Sequence, residues 1–145
     1  MDGLAMRTPS LILATGAFLI AAGGSFAQQN TVKPVGSVKQ LMEVFTIPLS
    51  DAIFEVVEPP TTDAEWAKVR TSALALAESG NLLMIGRRAR DQRDWMKFSR
   101  GQIDAAEAAM AAAEAKDFDA LLKASDALSE TCYACHERYF ETAKP

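Results

Sequence analysis

Residues 117–139 read DFDALLKASDALSETCYACHERY, and this stretch decides the fold. Phe118, Leu121, Ser125, Leu128, Cys132, Cys135 and Tyr139 recur alternately three and four positions apart. That spacing returns them to one stripe of an α-helix, so the stretch predicts a helix packed along a seam, with Asp117 capping its free amides. Both cysteines lie on the seam and therefore face a bundle interior.

The rest of the chain repeats this pattern. A third helix is expected from about Asp91 or Asp94 to Lys116, with Trp95, Phe98, Ile103 and Met110 set among many alanines. Alanine has the highest helix propensity and permits close approach of neighbours, so the run Ala105 to Ala113 reads as structure rather than low complexity. A second helix opens on Thr62-Asp63-Ala64-Glu65, a capping box, and continues its seam through Trp66, Val69, Ala73, Leu76, Gly80 and Leu83. Gly80 costs this helix about 1 kcal/mol, which implies either close helix packing or room for a bound group. Gly86 to Arg93 forms a basic hinge containing Arg87, Arg88, Arg90 and Arg93.

A first helix is expected to start at a Ser37 cap and to run toward Glu58, where Pro59-Pro60 stops it. Its seam reads Val38, Met42, Phe45, Leu49, Ala52 and Val56, and Pro48 predicts a kink or break from which Ser50 or Asp51 restarts the helix. With no strand pattern and no internal repeat, four helices of similar length joined by short turns predict an all-α, antiparallel four-helix bundle.

The chemistry sits in Cys132-Tyr133-Ala134-Cys135-His136. Two thiols three positions apart on one helix reach the two vinyl groups at one edge of a haem, and the adjoining imidazole reaches its iron as an axial ligand. Cys132 and His136 are one turn apart, so thiols and imidazole project from neighbouring parts of one face. A thioredoxin-like redox pair needs alternating strands and helices, and a zinc site needs four ligands; neither context is present. A structural disulfide would leave His136 without a role and would strain a continuing helix. The motif therefore predicts one haem c per chain, attached through Cys132 and Cys135 on the C-terminal helix, with His136 as proximal iron ligand.

The chain has 145 residues, 49% hydrophobic and 23% charged, with a formal net charge of −4, which suits one domain with one core. An acidic chain without a clustered basic face argues against a nucleic-acid partner. Residues 1–27 read as a secretory signal: Arg7 in a short polar start, an apolar run from Leu11 to Ala22, then Ser25-Phe26-Ala27 with cleavage after Ala27. The apolar run is too short for a comfortable membrane span, so residues 28–145 are expected as the exported domain.

A secretory leader, four amphipathic helices and C-x-x-C-H on the last of them resemble the class II c-type cytochromes, the group of cytochrome c′ and the low-spin cytochromes c-556. The resemblance covers all of residues 28–145. In that family an aromatic residue often stands three positions after the haem histidine and a basic residue one further; Tyr139 matches the first, while Phe140 replaces the second. Family members carry Arg-Gln early in the first helix near the propionates, where this chain has Lys39-Gln40. The resemblance implies periplasmic location, redox proteins as partners, and pairing of two copies through their first helices.

An electron carrier follows first from these features, and a high-spin haem protein that binds nitric oxide or carbon monoxide at an open distal site is the alternative. An enzyme is not expected, because the single histidine is assigned to iron and no pair of carboxylates can be placed in a pocket. In an up-down-up-down bundle the basic hinge lies level with the haem, making Arg87, Arg88 and Arg90, with Lys39 and Gln40, the candidates for propionate contacts. The same levels place Met42, Met84 and Met96 near the iron and Met110 at the far end. The resembling family uses its first helix on the distal side, which makes Met42 the preferred sixth ligand and leaves Phe45 as the other distal candidate.

Overall fold

The computed structural model describes residues 32–140, and every regular element among them is helical. The leader expected over residues 1–27 lies outside the described residues. Helix α1 runs through three consecutive pieces: Val38–Leu41, a π-helical turn Met42–Thr46, and Ile47–Phe54. Helix α2 is Asp63–Leu83, α3 is Asp94–Ala115 and α4 is Phe118–Tyr139, with a short 3-10 turn, Gly86–Arg88, in the basic hinge.

Local chemistry sets these limits. The Ser37 hydroxyl accepts from the Gln40 amide at 3.2 Å while the Gln40 side chain accepts from the Ser37 amide at 2.9 Å, a reciprocal cap. Thr62 and Glu65 do the same at 3.2 and 2.9 Å, and Thr61 adds a second amide to the Glu65 carboxylate at 2.7 Å. Helix α3 stops where Lys116 turns left-handed, φ 54°, and Asp117 caps the next helix at once by accepting from the Ala120 amide at 3.0 Å.

The four helices pack antiparallel where their contacts fix the direction. Lys116, at the end of α3, pairs with Asp63 at the start of α2 at 2.6 Å, while the Trp95 indole at the other end of α3 donates to the Leu83 carbonyl at 2.9 Å. Midway, Gln102 Nε2 donates to the Leu76 carbonyl and to Ser79 Oγ. Asp94 and Arg138 then tie the start of α3 to the end of α4 at 3.6 Å. The expected seam of α2 is buried at every position, and that of α4 is buried or half-buried at every position.

The core has two parts. A large cluster runs from Ile53 through Trp66, Leu76, Ala106 and Leu121 to Leu128, and a small one joins Leu41, Leu83 and Trp95. None of the helices among the described residues is long and apolar enough to cross a membrane.

Helix α1 departs from expectation. It ends at Phe54, short of Glu58, and it does not break at Pro48. A turn upstream absorbs the proline: the Ile47 amide donates to the Met42 carbonyl five residues back, and Pro48 enters at the start of the next α-helical piece. The wider turn moves every later residue one place around the helix, about 100°. Phe45 is therefore 42% exposed, and Thr46, Ser50 and Ile53 take the inward positions expected for Phe45, Leu49 and Ala52. No periodicity in α1 alone shows that shift.

Candidate functional site

A cavity of about 180 Å³ opens between α1 and α4. Helix α4 contributes Thr131, Cys132, Cys135 and His136; α1 contributes Met42, Thr46, Ile47, Ser50 and Phe54; Leu83, Phe98, Ser99 and Gln102 close the remaining walls. Four chemically active groups thus converge on one largely apolar space: two thiols, one imidazole and one thioether. Its walls draw on both core clusters, Met42 and Leu83 from the small one and Cys132 from the large one.

The thiols are free and half-buried, while the imidazole is exposed, with its ring centroid 5.9 Å from that of Phe140. Burial pushes the Cys132 thiol up, and burial together with the neighbouring Cys132 pushes Cys135 up to about 11. Both therefore carry their protons at neutral pH. Among the described residues no group of three or more His, Cys, Asp or Glu side chains is arranged to hold a metal ion, so a protein-only zinc cage is not formed.

The level of His136 along the bundle is set one turn later. Tyr139 stands edge-on to Trp95 and Phe98, at 5.1 and 6.3 Å between ring centroids, and its hydroxyl donates to Asp91. Asp91 also accepts from the amides of Arg93 and Trp95 at 2.8 and 3.3 Å, anchoring α4 to the first turn of α3. The tyrosine hydroxyl and these amides hold the Asp91 carboxyl below its usual range; desolvation first, and then the Asp91 contact, push the Tyr139 phenol up to about 12.

The other candidates are placed differently. Lys39, Gln40, Arg87, Arg88 and Arg90 do not line the cavity. Arg88 is buried, donating from Nε to the Gly36 carbonyl at 2.9 Å and from Nη1 to the Leu82 carbonyl at 3.1 Å, so it straps the segment before α1 to the end of α2. The Gln40 amide is spent on the Ser37 cap, Lys39 lies 3.8 Å from Glu43, and Arg87 and Arg90 are exposed. Met84 and Met96 are half-buried outside the cavity walls, and Met110 packs on the large cluster. Phe45 lies in a separate groove with Leu74 and Leu82.

Thr46 was not legible in advance. It is 5% exposed, and its Oγ1 has no hydrogen-bond partner, the one such buried side-chain atom among the described residues. The other hydroxyls at the cavity are satisfied: Ser50 by the Ile47 carbonyl, Ser99 by Trp95 and Thr131 by Ala127, at 2.9 to 3.0 Å. A buried hydroxyl left unpaired costs about 1–3 kcal/mol. The only signal in the sequence is the Pro48 that the π turn accommodates.

Comparison of the chain with family models, with characterised proteins and with solved structures gives no match.

Proposed function

We propose that this chain is an exported c-type cytochrome that carries single electrons, with one haem joined to Cys132 and Cys135 and His136 as proximal iron ligand. The observation that carries the reading is the convergence of both thiols, the imidazole and the Met42 thioether on one apolar cavity. The cavity is too small to enclose a whole macrocycle and suits the edge that bears the vinyl groups, and of its lining residues His136 is exposed. When bound, the haem supplies a one-electron iron couple.

Residues of the chain do the rest. Cys132 and Cys135 each add S–H across one vinyl group, sulfur to one carbon and hydrogen to the other, so attachment needs no oxidant. The His136 imidazole gives a lone pair to iron. Met42 is the sixth-ligand candidate from α1, in keeping with its place in the cavity wall. Ile47, Phe54, Leu83 and Phe98 make the walls apolar, which disfavours the more charged oxidised state and raises the potential relative to a fully exposed site. Propionate contacts fall to the exposed Lys39, Arg87 and Arg90, since the Arg88 and Gln40 side chains are engaged elsewhere. Export to the periplasm rests on residues 1–27, and redox proteins and a second copy of the chain are the partners the reading entails. The alternative reading, a site for nitric oxide or carbon monoxide, draws support from the unpaired Thr46 hydroxyl.

Intact mass decides the central point. Produced in a host that matures c-type cytochromes, the denatured chain is expected to be heavier by one haem, and Cys132→Ala with Cys135→Ala to lose that increment; a haem-free parent chain sinks the proposal. If Met42 ligates, the reduced spectrum is low-spin and the oxidised protein shows a weak far-red sulfur-to-iron band that Met42→Ala removes.

A further inference from the structure

The outward stripe of α4 carries Asp119, Asp126, Glu130, Tyr133, Glu137 and Phe140, spaced by threes, fours and a seven and all exposed. Lys123 is the one cation on that stripe. Arg138, beside Glu137 in the chain, is drawn across to Asp94 at 3.6 Å, and no cation among the described residues comes within ion-pair distance of the four carboxylates. On α3, by contrast, the outward Asp104 and Glu107 are offset by Lys97 and Arg100. Among these charges stand two aromatic rings, Tyr133 at 75% exposure and Phe140 at 65%. A solvated outer face accounts for the carboxylates but not for rings set on the same stripe two turns apart. The stripe also adjoins the attachment motif: His136 lies between it and the cysteine seam, about 40° round the helix from Cys132, with its ring centroid 5.9 Å from that of Phe140.

We propose that this outward face of α4 docks the redox protein with which the chain exchanges electrons, and that the partner presents lysines and arginines there. The inference rests on the cytochrome reading above and adds to it a surface and the chemistry of what meets it. The carboxylates steer a basic partner to the face, and the Tyr133 and Phe140 rings supply apolar and cation–π contact once it arrives. Docking there sets the partner against the helix that holds both thiols and the imidazole, which keeps the path of the electron short. The same charges turn away an acidic partner, which would instead meet the exposed Arg87 and Arg90 of the hinge.

Two oxidised blue-copper proteins of opposite charge are the probes: pseudoazurin, which is basic, and plastocyanin, which is acidic. The reduced haem-loaded protein gives one electron to Cu(II), forming Cu(I) and bleaching its visible band, so stopped flow reads the rate with each. Intact mass is measured first on the parent and every variant. The pseudoazurin rate is expected to fall about tenfold between about 0.01 M and about 1 M salt, as the screening length shrinks from about 30 to about 3 Å. At low salt, Glu130→Gln with Glu137→Gln is expected to cut the ratio of pseudoazurin to plastocyanin rates about fivefold. Asp104→Asn with Glu107→Gln removes the same charge from α3 and is expected to cut it less than about twofold. The ratio is used because a change in haem potential moves both rates. Tyr133→Ser is expected to slow the pseudoazurin reaction about threefold even at high salt. Equal effects of the two charge pairs, a plastocyanin rate that falls with salt, or a Tyr133→Ser rate equal to the parent's at high salt overturns the inference and leaves the cytochrome reading standing. So does a parent dimer in sedimentation that Tyr133→Ser dissolves, since a second copy then covers the face. A haem-free parent overturns both.

Discussion

A methyl group on Gly80 would meet Ile103 Cγ1 at 2.6 Å and the Ser99 carbonyl oxygen at 3.1 Å. The first neighbour is the root of a branched side chain and the second is backbone, so neither yields without moving α3. Alanine gains about 1 kcal/mol of helix propensity at such a site and loses about 1–3 kcal/mol to overpacking. Gly80→Ala is therefore expected to lower stability by about 1–2 kcal/mol in urea unfolding, and Ile103→Ala in the same chain to recover part of it; a stabilised Gly80→Ala would show that α2 and α3 separate easily. Of the two meanings the sequence allowed for Gly80, close packing is the one observed. Arg88 taught the opposite lesson. Its charge suggested an acidic ligand, but a guanidinium that finds two carbonyls is indistinguishable in sequence from one that waits for a carboxylate, because backbone acceptors leave no mark in composition.

Helix starts were legible because capping chemistry is local: Ser37, Thr62 and Asp117 each act on amides within three residues. The Glu65 carboxylate shows the consequence for pH. The amides of Thr62 and Thr61 and their hydroxyls hold its carboxyl below its ordinary value of 4.5. A lowered folded-state value means that the stabilisation is complete above the unfolded value, near 4.5, and is lost as pH falls from there through the folded one. Glu65→Gln retains an acceptor for the cap but cannot titrate. Its stability deficit against the parent is expected to be present at pH 7 and to shrink toward pH 3; a deficit equal at both ends would show that the carboxylate contributes nothing beyond the amide. The π turn escaped sequence reading for the converse reason. A proline states that a helix must adjust, but where the adjustment falls depends on which side chains the neighbouring helices bury, and that information lies in α2 and α4.

At the scale of the molecule, the bundle follows from two seams that were right, those of α2 and α4, and one, that of α1, that was displaced. Recurrence in α2 and α4 was enough to fix a fold even with α1 rotated, since both of those helices pack on α3. The site was half legible. The thiols and imidazole announce themselves by spacing, and Met42 opens the π turn and so kept its place at the cavity, whereas Phe45 and Thr46, at the end of that turn, exchanged places. Seen as a matter of chain length, α1 is one residue longer than the path it covers. The buried residues Thr46, Ser50 and Ile53 are those a plain α-helix would bury if the chain were shorter by one before them. Deleting Val44, which is 64% exposed, together with Pro48→Ala to restore the missing amide, is expected to leave the same core closed and the unfolding free energy within about 2 kcal/mol of the parent. Deleting Leu74, itself half exposed but in the middle of an unbroken α-helix, is expected to unfold the chain, because every later seam residue of α2 would face the wrong way. Equal damage from the two deletions would count against this view. Within its helices, a length change is thus expected to be borne where α1 forms the wall of the cavity.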